Sequence, residues 1–261
     1  MNYQLNRPYI FTFASGKGGV GKSLTTVNVA ESLNTSGFRT AIIDADLGFS
    51  SCGTLLNEYT QGTISDVVNG ACNIDDIIHT TKSGLSLIIG ADEPLSKGET
   101  WSSHLDLLDK AILRLHHDHD FILIDTPAGA SDINLWALDR SDLCALMLID
   151  EPTVISDVYR FCKFVLQIDP DFPFAGIVNM CENKMEANYV LTRFNRILSH
   201  FLNRELPYLG HFGYDEAIRD SVSNQKPVSS LPTTTLHDSQ FKLIANALSA
   251  FANKQPRAKM A

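Results

Sequence analysis

The sequence lacks the segments by which membrane-spanning and secreted proteins are usually identified. No run of eighteen apolar residues occurs along its 261 residues, so no transmembrane helix is predicted. The polar segment Met1–Arg7 is unlike a signal peptide. Five cysteines form no C-x-x-C pair, which is typical of small buried side chains in a reducing compartment. We therefore expect a cytoplasmic protein, peripheral at the inner membrane at most.

Basic residues are also few, with 21 lysines and arginines against 30 acidic residues and a formal net charge of −9. That balance gives no strong signal for nucleic-acid binding through a broadly basic surface. The sequence contains no internal repeat, low-complexity tract or linker. A hydrophobic content of 44% suits a soluble chain that needs no metal or disulfide to fold. We predict one domain over residues 1–253 and a disordered tail over residues 254–261.

Strand-like and helix-like segments alternate along the whole chain, which predicts an α/β fold with a mostly parallel, doubly wound sheet flanked by helices. Strands are predicted at residues 9–14, 40–44, 85–89, 121–124, 143–149, 174–178 and 208–212. Helices are predicted at residues 23–35, 64–68, 74–78, 103–116, 132–138, 153–168, 187–202 and 240–251.

A complete phosphate-binding loop, Gly16-x-x-x-x-Gly21-Lys22-Ser23, lies between the first strand and the first helix. Glycines let successive backbone N–H groups surround an anion, and the helix directs its positive dipole end toward it. Lys22 is expected at the β- and γ-phosphates, and the Ser23 hydroxyl at Mg²⁺. This predicts a P-loop NTPase with ATP and Mg²⁺ as cofactors. The expected nucleotide contacts are Gly16, Lys17, Gly18, Gly19, Val20, Gly21, Lys22, Ser23 and Leu24.

Two acids follow the second strand in the segment Asp44-Ala45-Asp46-Leu47-Gly48. The carboxyl ends of parallel strands face the ligand crevice. We therefore predict that Asp44 holds Mg²⁺ or its waters and that Asp46 orients a water beside the γ-phosphate.

A third acid, Asp125, ends the apolar strand at residues 121–124. An apolar strand ending in an acid downstream of a P-loop is the Walker-B arrangement. It predicts Asp125 as a third metal ligand beside Ser23 and Asp44.

Lys17 makes the loop resemble the deviant Walker-A family, G-K-G-G-V-G-K-[ST], to which the MinD and ParA ATPases belong. The resemblance implies an ATP-dependent sandwich dimer in which Lys17 reaches the nucleotide of the partner subunit. It also implies that the second acid of switch I, Asp46, is required for a slow hydrolysis that a protein partner stimulates. The segment Asp125-Thr-Pro-Ala-Gly129 resembles switch II of the MinD group.

Two further segments resemble the adenine side of the family's nucleotide site. Asn179 ends a predicted strand, and its amide can donate to and accept from a purine edge. Asp215 lies in a loop that resembles the family's second adenine-side loop, where a helix N-cap is an equally good interpretation.

Within the family, the segment Glu151-Pro-Thr153 and the residues 214–219 resemble the FlhG branch of flagellar-number regulators. Two features depart from that branch. Its D-Q-A-x-x-L-R motif is absent from residues 1–8, and switch II reads Asp-Thr-Pro where Asp-Thr-Gly is usual. The sequence leaves open which cellular structure is placed: a division site, a partitioned plasmid or a flagellum.

The last predicted helix has an apolar face formed by Phe241, Ile244, Leu248 and Phe251. An apolar stripe at helical spacing is typical of core packing. Reversible docking on a membrane is the alternative, because relatives often end in such a helix.

Two other functions on the same fold stay open. The first is an iron–sulfur carrier, which needs cysteines at the dimer axis. The second is a small-molecule ATP-dependent enzyme such as a dethiobiotin-synthetase-like ligase.

Overall fold

Within the part of the chain that the structure describes, short apolar runs of the sequence form one eight-stranded sheet. The computed structural model describes residues 7–48, 50–91, 101–213, 216–231 and 236–254. The strands are β1 (Tyr9–Ala14), β2 (Thr40–Asp44), β3 (His79–Thr80), β4 (Ser86–Ile89), β5 (Phe121–Asp125), β6 (Leu143–Leu148), β7 (Phe174–Val178) and β8 (Tyr208–His211). Their order is β3-β4-β2-β5-β1-β6-β7-β8, and all neighbours are parallel except β3 and β4. This confirms the predicted fold class.

Helices connect the strands and cover the sheet. They are α1 (Lys22–Thr35), α2 (Cys52–Leu56), α3 (Ile64–Val68), α4 (Trp101–Leu115), α5 (Asp132–Arg140), α6 (Pro152–Ile168), α7 (Lys184–Leu202), α8 (Glu216–Ser223) and α9 (Leu236–Lys254). A short 3-10 helix, Val228–Ser230, precedes α9.

The sheet has a hydrophobic core on each face. Phe11 and Phe13 of β1 belong to a core with α1, α6, α7 and α9, whereas Ile10 belongs to a second core with α3, α4 and α5. Successive side chains of a strand point to opposite faces, so a central strand covered on both sides is buried throughout and mostly apolar. This explains why β1 is an unbroken buried run, and it places the segment that follows β1 at the centre of the sheet.

The C-terminal helix packs in the core, as its apolar face predicts. Phe241, Ile244 and Leu248 are buried, and α9 lies against α1 and β8. Phe251 meets the ring of Phe11 edge-on, with ring centroids 6.1 Å apart. The helix extends to Lys254, and the rest of the predicted tail lies outside the described residues.

One predicted helix is wrong. Residues 74–77 form turns, in which the Asn73 amide donates to Asp76 Oδ2 at 2.9 Å. Such a local bond offers the backbone an alternative to a helix. The helices α2 and α8 were not predicted. No helix among the described residues is long and apolar enough to cross a bilayer.

Candidate nucleotide-binding site

The P-loop joins the centre of the sheet to the first helix. Gly19 and Gly21 have φ angles of 78° and 88°, a left-handed backbone that favours glycine. Gly21 caps α1 and has no side chain to accept from the first N–H groups of the helix. A bound anion can take that role. Positions for a Cβ on Gly18 and Gly19 meet no atom within 4 Å, so the loop has open space beside it.

The loop is held from two sides. A Cβ on Gly16 would lie 2.5 Å from the Asp157 Cβ and 2.8 Å from the Val158 nitrogen, so only glycine lets α6 approach this closely. On the other side, the Asn179 amide donates to the Val20 carbonyl at 2.9 Å. Leu24, the last of the predicted nucleotide contacts, is half-buried against the core.

The three predicted metal ligands come together at the end of the loop. Asp44 and Asp125 lie opposite each other in the register of β2 and β5. The Ser23 hydroxyl donates to Asp125 Oδ2 at 2.5 Å. One ligand atom from each of Asp44, Asp125 and Cys52 lies within 4.8 Å of the others. Two carboxylates beside a hydroxyl form the oxygen-rich donor set that Mg²⁺ prefers.

Burial controls the charge of Asp125. Desolvation is the main effect that raises the pKa of this carboxyl to about 7. The positive charge of Lys22 lowers the pKa, whereas the negative charge of Asp44 raises it further. Hydrogen bonds from Ser23 and Thr26 lower it. A carboxyl that is costly to ionise without a cation is suited to binding one.

Asp44 is anchored by the segment that follows switch I. Its Oδ2 accepts from the Ser50 hydroxyl at 2.5 Å and from the amides of Ser51 and Cys52, each at 2.9 Å. Burial raises the pKa of Asp44, and these bonds oppose the rise. The Cys52 thiol lies 3.8 Å from Asp125 Oδ2, and burial raises its pKa well above the ordinary value. The start of α2 therefore bridges both carboxylates.

Asp46 lies next to this cluster but is only half-buried. Its amide donates to Asp44 Oδ1 at 3.2 Å, and its own Oδ1 accepts from the Gly48 amide at 3.2 Å. The turn thus presents Asp46 at the carboxyl end of β2.

Lys17 projects from the outer side of the P-loop. Its Nζ lies 2.6 Å from Glu151 Oε1, and the two side chains are 48% and 40% exposed. The bond with Lys17, together with one from Thr153, lowers the pKa of Glu151. Lys17 is therefore paired on the surface, where a second molecule can reach it.

Switch II is tied to the first strand. The Thr126 hydroxyl donates to the Phe13 carbonyl at 2.9 Å, and the Gly129 amide donates to the Ser15 carbonyl at 2.9 Å. Gly129 has a φ of 91°, which allows the chain to turn sharply there.

On the base side, Asn179 is buried at the end of β7. Its Oδ1 accepts from the Met180 amide at 2.6 Å while its Nδ2 contacts Val20. Both ends of the amide are thus occupied within the chain. Asp215 lies outside the described residues.

Sequence reasoning missed several residues that shape the site: Thr26, Ser50, Cys52 and Glu151. Ser50 and Cys52 follow the second strand by only a few positions, yet nothing in their spacing indicates that their polar groups turn back to Asp44. Glu151 is 134 residues from Lys17, so only the fold brings them together.

Comparisons with known proteins agree with this geometry. The family model described as "ParA: NUBPL iron-transfer P-loop NTPase" matches residues 7–249. The antiactivator FleN of Pseudomonas aeruginosa is 27% identical over 247 residues, which are 93% of this chain and 86% of FleN. The flagellum site-determining protein YlxH of Helicobacter pylori is 27% identical over 238 residues, 90% of this chain and 79% of YlxH.

Among solved structures, the septum site-determining protein MinD of Pyrococcus horikoshii, complexed with Mg-ADP, has a TM-score of 0.74 at 21% identity. The match covers 94% of this chain and 97% of MinD, and it shows a shared fold. Together with the family match over nearly the whole chain and the intact P-loop, these similarities show that the chain belongs to the ParA/MinD family of P-loop ATPases.

Proposed function

We propose that this protein is an ATP-hydrolysing switch that binds ATP with Mg²⁺, forms a sandwich dimer and regulates the position or number of a cellular structure. The observation that carries the proposal is the convergence of Ser23, Asp44 and Asp125 beneath an intact P-loop that displays Lys17 on its outer surface. Hydrolysis would dissolve the dimer, and an unidentified protein partner would stimulate it.

The residues present fit Mg²⁺. Ser23 and Asp125 are already in contact, and Asp44 is fixed nearby by three hydrogen bonds. Mg²⁺ would neutralise charge on the β- and γ-phosphates and on these carboxylates. Lys22, at the first position of α1, would contribute a second positive charge on the phosphate side. The Mg-ADP complex of the Pyrococcus MinD supports the same pairing of nucleotide and metal.

Lys17 would act between subunits. Its ion pair with Glu151 joins two exposed side chains, and such pairs are weak in water. A phosphate of a second subunit can therefore compete with Glu151 for the ammonium group. The Lys17 ammonium group of one subunit would then stabilise negative charge on the phosphates bound by the other subunit, as an arginine finger does. Asp46 would orient the attacking water, since it stands beyond Asp44 at the rim of the site.

The proposed cellular role is inferred from the similarity to FleN and YlxH. FleN is an antiactivator, and YlxH is a flagellum site-determining protein. Both align over at least nine tenths of this chain. A role in flagellar placement is supported by these alignments and by the segment from Glu151 to Thr153, although switch II carries Pro127 in place of the usual glycine.

An iron carrier is the competing function, because the matching family model is described by iron transfer. The cysteines argue against it. In the parts of the chain that the structure describes, the one group suited to hold a metal contains a single cysteine, Cys52. Cys52, Cys144, Cys162 and Cys181 are buried. Iron and acid-labile sulfide that copurify with the protein in stoichiometric amounts would support the carrier function instead.

Size-exclusion chromatography with light scattering tests the switch. We expect a monomer with ADP and a dimer with ATP and Mg²⁺. Lys22→Ala is the control, because loss of the charge that compensates the phosphates should abolish nucleotide binding and keep the protein monomeric. A wild-type protein that binds ATP in calorimetry but stays monomeric would overturn the proposal.

A further inference from the structure

A groove lies at the end of the sheet opposite the phosphate site. It is bounded by residues 102–109 of α4, residues 132–141 around α5, and residues 165–173 between α6 and β7. Ser141 and Pro173 stand just before β6 and β7, so the groove opens at the amino-terminal edge of the parallel strands. Its volume is about 640 Å³. We name it the α5 groove.

The floor of the α5 groove is apolar. Leu105, Trp136 and Phe172 line it, and the Trp136 indole is oriented by a 2.9 Å bond from its Nε1 to Asp109. Ile168 stands at the edge with 65% of its surface exposed. A fixed apolar floor beside an exposed isoleucine is the composition of a docking surface.

The rim of the α5 groove is strongly acidic. Arg140 is the one cation among its described lining residues, and it binds Asp109 at both carboxylate oxygens and Asp139 at 3.0 Å. Five aspartates against one arginine leave a net charge of −4. The aspartates are Asp106, Asp109, Asp132, Asp139 and Asp169. A partner that buries this rim must bring positive charge, since unpaired carboxylates are costly to desolvate.

The groove is connected to switch II through α5. The Asn134 amide donates to the Thr126 hydroxyl at 3.0 Å and to the Pro127 carbonyl at 2.9 Å. The next two residues, Leu135 and Trp136, line the groove. A displacement of α5 therefore acts on the segment that directly follows Asp125.

We propose that the α5 groove docks an amphipathic peptide segment of a partner protein, with lysine or arginine at the acidic rim and apolar side chains on the floor. Docking depends on the groove alone. Its sensitivity to nucleotide rests on the proposed switch function, because it requires switch II to move between the ADP and ATP states.

The probe is a fluorescein-labelled 14-residue peptide of lysine and leucine at helical spacing, followed by fluorescence anisotropy. We expect saturable binding that a glutamate-for-lysine version of the peptide does not show. Asp106→Lys should weaken binding at least fivefold, whereas Asp118→Lys, an exposed aspartate beyond α4, should not. Ile168→Ser should weaken it at least fivefold, whereas Phe164→Ser, an exposed apolar residue of the same helix, should not.

Equal losses in Asp106→Lys and Asp118→Lys would mean general attraction to an acidic protein and would overturn the proposal. So would the absence of wild-type binding. Groove variants that change the oligomeric state and leave peptide affinity intact would assign the groove to a second copy of the chain. Equal peptide affinity with ADP and with a slowly hydrolysed ATP analogue would overturn the coupling alone. Failure of the wild type to bind nucleotide would refute the switch and leave the docking result standing.

Discussion

At the scale of single residues, the charge of Asp125 depends strongly on its burial. The carboxyl is fully buried, receives hydrogen bonds from Ser23 and Thr26, and has a pKa of about 7. The unfolded chain exposes the same carboxyl to water, where its pKa is near the ordinary value of 3.8. The folded protein without metal therefore binds a proton here that the unfolded chain has already released.

This difference predicts how stability depends on pH in the absence of Mg²⁺ and nucleotide. Between pH 4 and pH 7 the folded state holds the extra proton, so the contribution of Asp125 to the free energy of unfolding falls as pH rises. The slope is at most about 1.4 kcal/mol per pH unit and disappears above pH 7. Asp125→Asn mimics the neutral form. Urea unfolding should show the wild type losing stability relative to this variant across that window. Parallel curves for the two proteins would contradict the assignment.

Gly16 is required by the approach of α6 to the P-loop. A methyl group there would lie 2.5 Å from the Asp157 Cβ and close to backbone atoms of α6. A shift of that backbone to relieve the clash would cost free energy. Gly16→Ala should lower the free energy of unfolding by about 1–3 kcal/mol, the typical cost of overpacking. Gly18→Ala, which enters open space in the same loop, is the matched control and should change stability little. Equal stability of the two variants in denaturant unfolding would refute this account.

At the scale of elements, substitutions in α9 distinguish a helix that packs in the core from one that docks on a membrane. Leu248 is fully buried and Leu243 is 63% exposed on the same helix. Leu248→Ala should cost about 2–5 kcal/mol, as deletions from a packed core do, whereas Leu243→Ala should change stability by about 0.5 kcal/mol or less. Urea unfolding measures both. If Leu248→Ala is harmless and only abolishes pelleting with anionic liposomes in ATP, the helix is a membrane anchor.

The elements that sequence reasoning predicted are those with a strong local pattern. The strand Tyr9–Ala14 has its predicted bounds, because a run of neighbouring apolar residues indicates a buried strand. The helix Ile64–Val68 forms where a short helix was predicted, and the structure shows a Thr63–Asp66 capping box at its start. The helix α2 was missed because its first turn is positioned by Asp44, not by a pattern in its own sequence. Residues 74–77 were predicted as a helix from their apolar spacing but form turns. Here a local hydrogen bond between Asn73 and Asp76 outweighs the apolar pattern.

The residues of the site likewise fall into those that a local motif predicts and those that it does not. Ser23, Asp44 and Asp125 were predicted from motifs, because each motif combines a residue type with a place in the fold. Ser23 begins a helix after the P-loop, the two aspartates end strands, and the structure brings the three together. The contacts that hold the P-loop from the other strands were not predictable. Glu151 opposite Lys17 and Asn179 beneath Val20 depend on crossovers between distant strands, and one sequence carries no signal for such contacts.

At the scale of the whole molecule, two inactive variants should differ in assembly. Asp46→Ala should still bind ATP, because its carboxylate stands beyond the metal ligands, and should accumulate as a dimer that cannot hydrolyse. Lys17→Ala should bind ATP as a monomer and lose hydrolysis, because the proposed switch needs the charge of Lys17 on the nucleotide of the partner subunit. Phosphate release and light scattering of the two variants, compared with wild type, measure both effects. If Lys17→Ala dimerises and retains turnover, the intersubunit role of Lys17 is wrong.

The position of β1 in the middle of the sheet also constrains how the protein is made. Tyr9 pairs with Phe121 of β5, and Phe11 pairs with Leu143 of β6, although β1 is synthesised well before both of these strands. Contacts of such long sequence separation are slow to form, because closing a large loop precedes any gain from pairing. The P-loop therefore has no sheet behind it until the chain has been synthesised past β5, and β1 keeps one open edge until β6 follows. Before β5 is made, β1 is a mostly apolar segment with two open edges, which chaperones can recognise and which can aggregate.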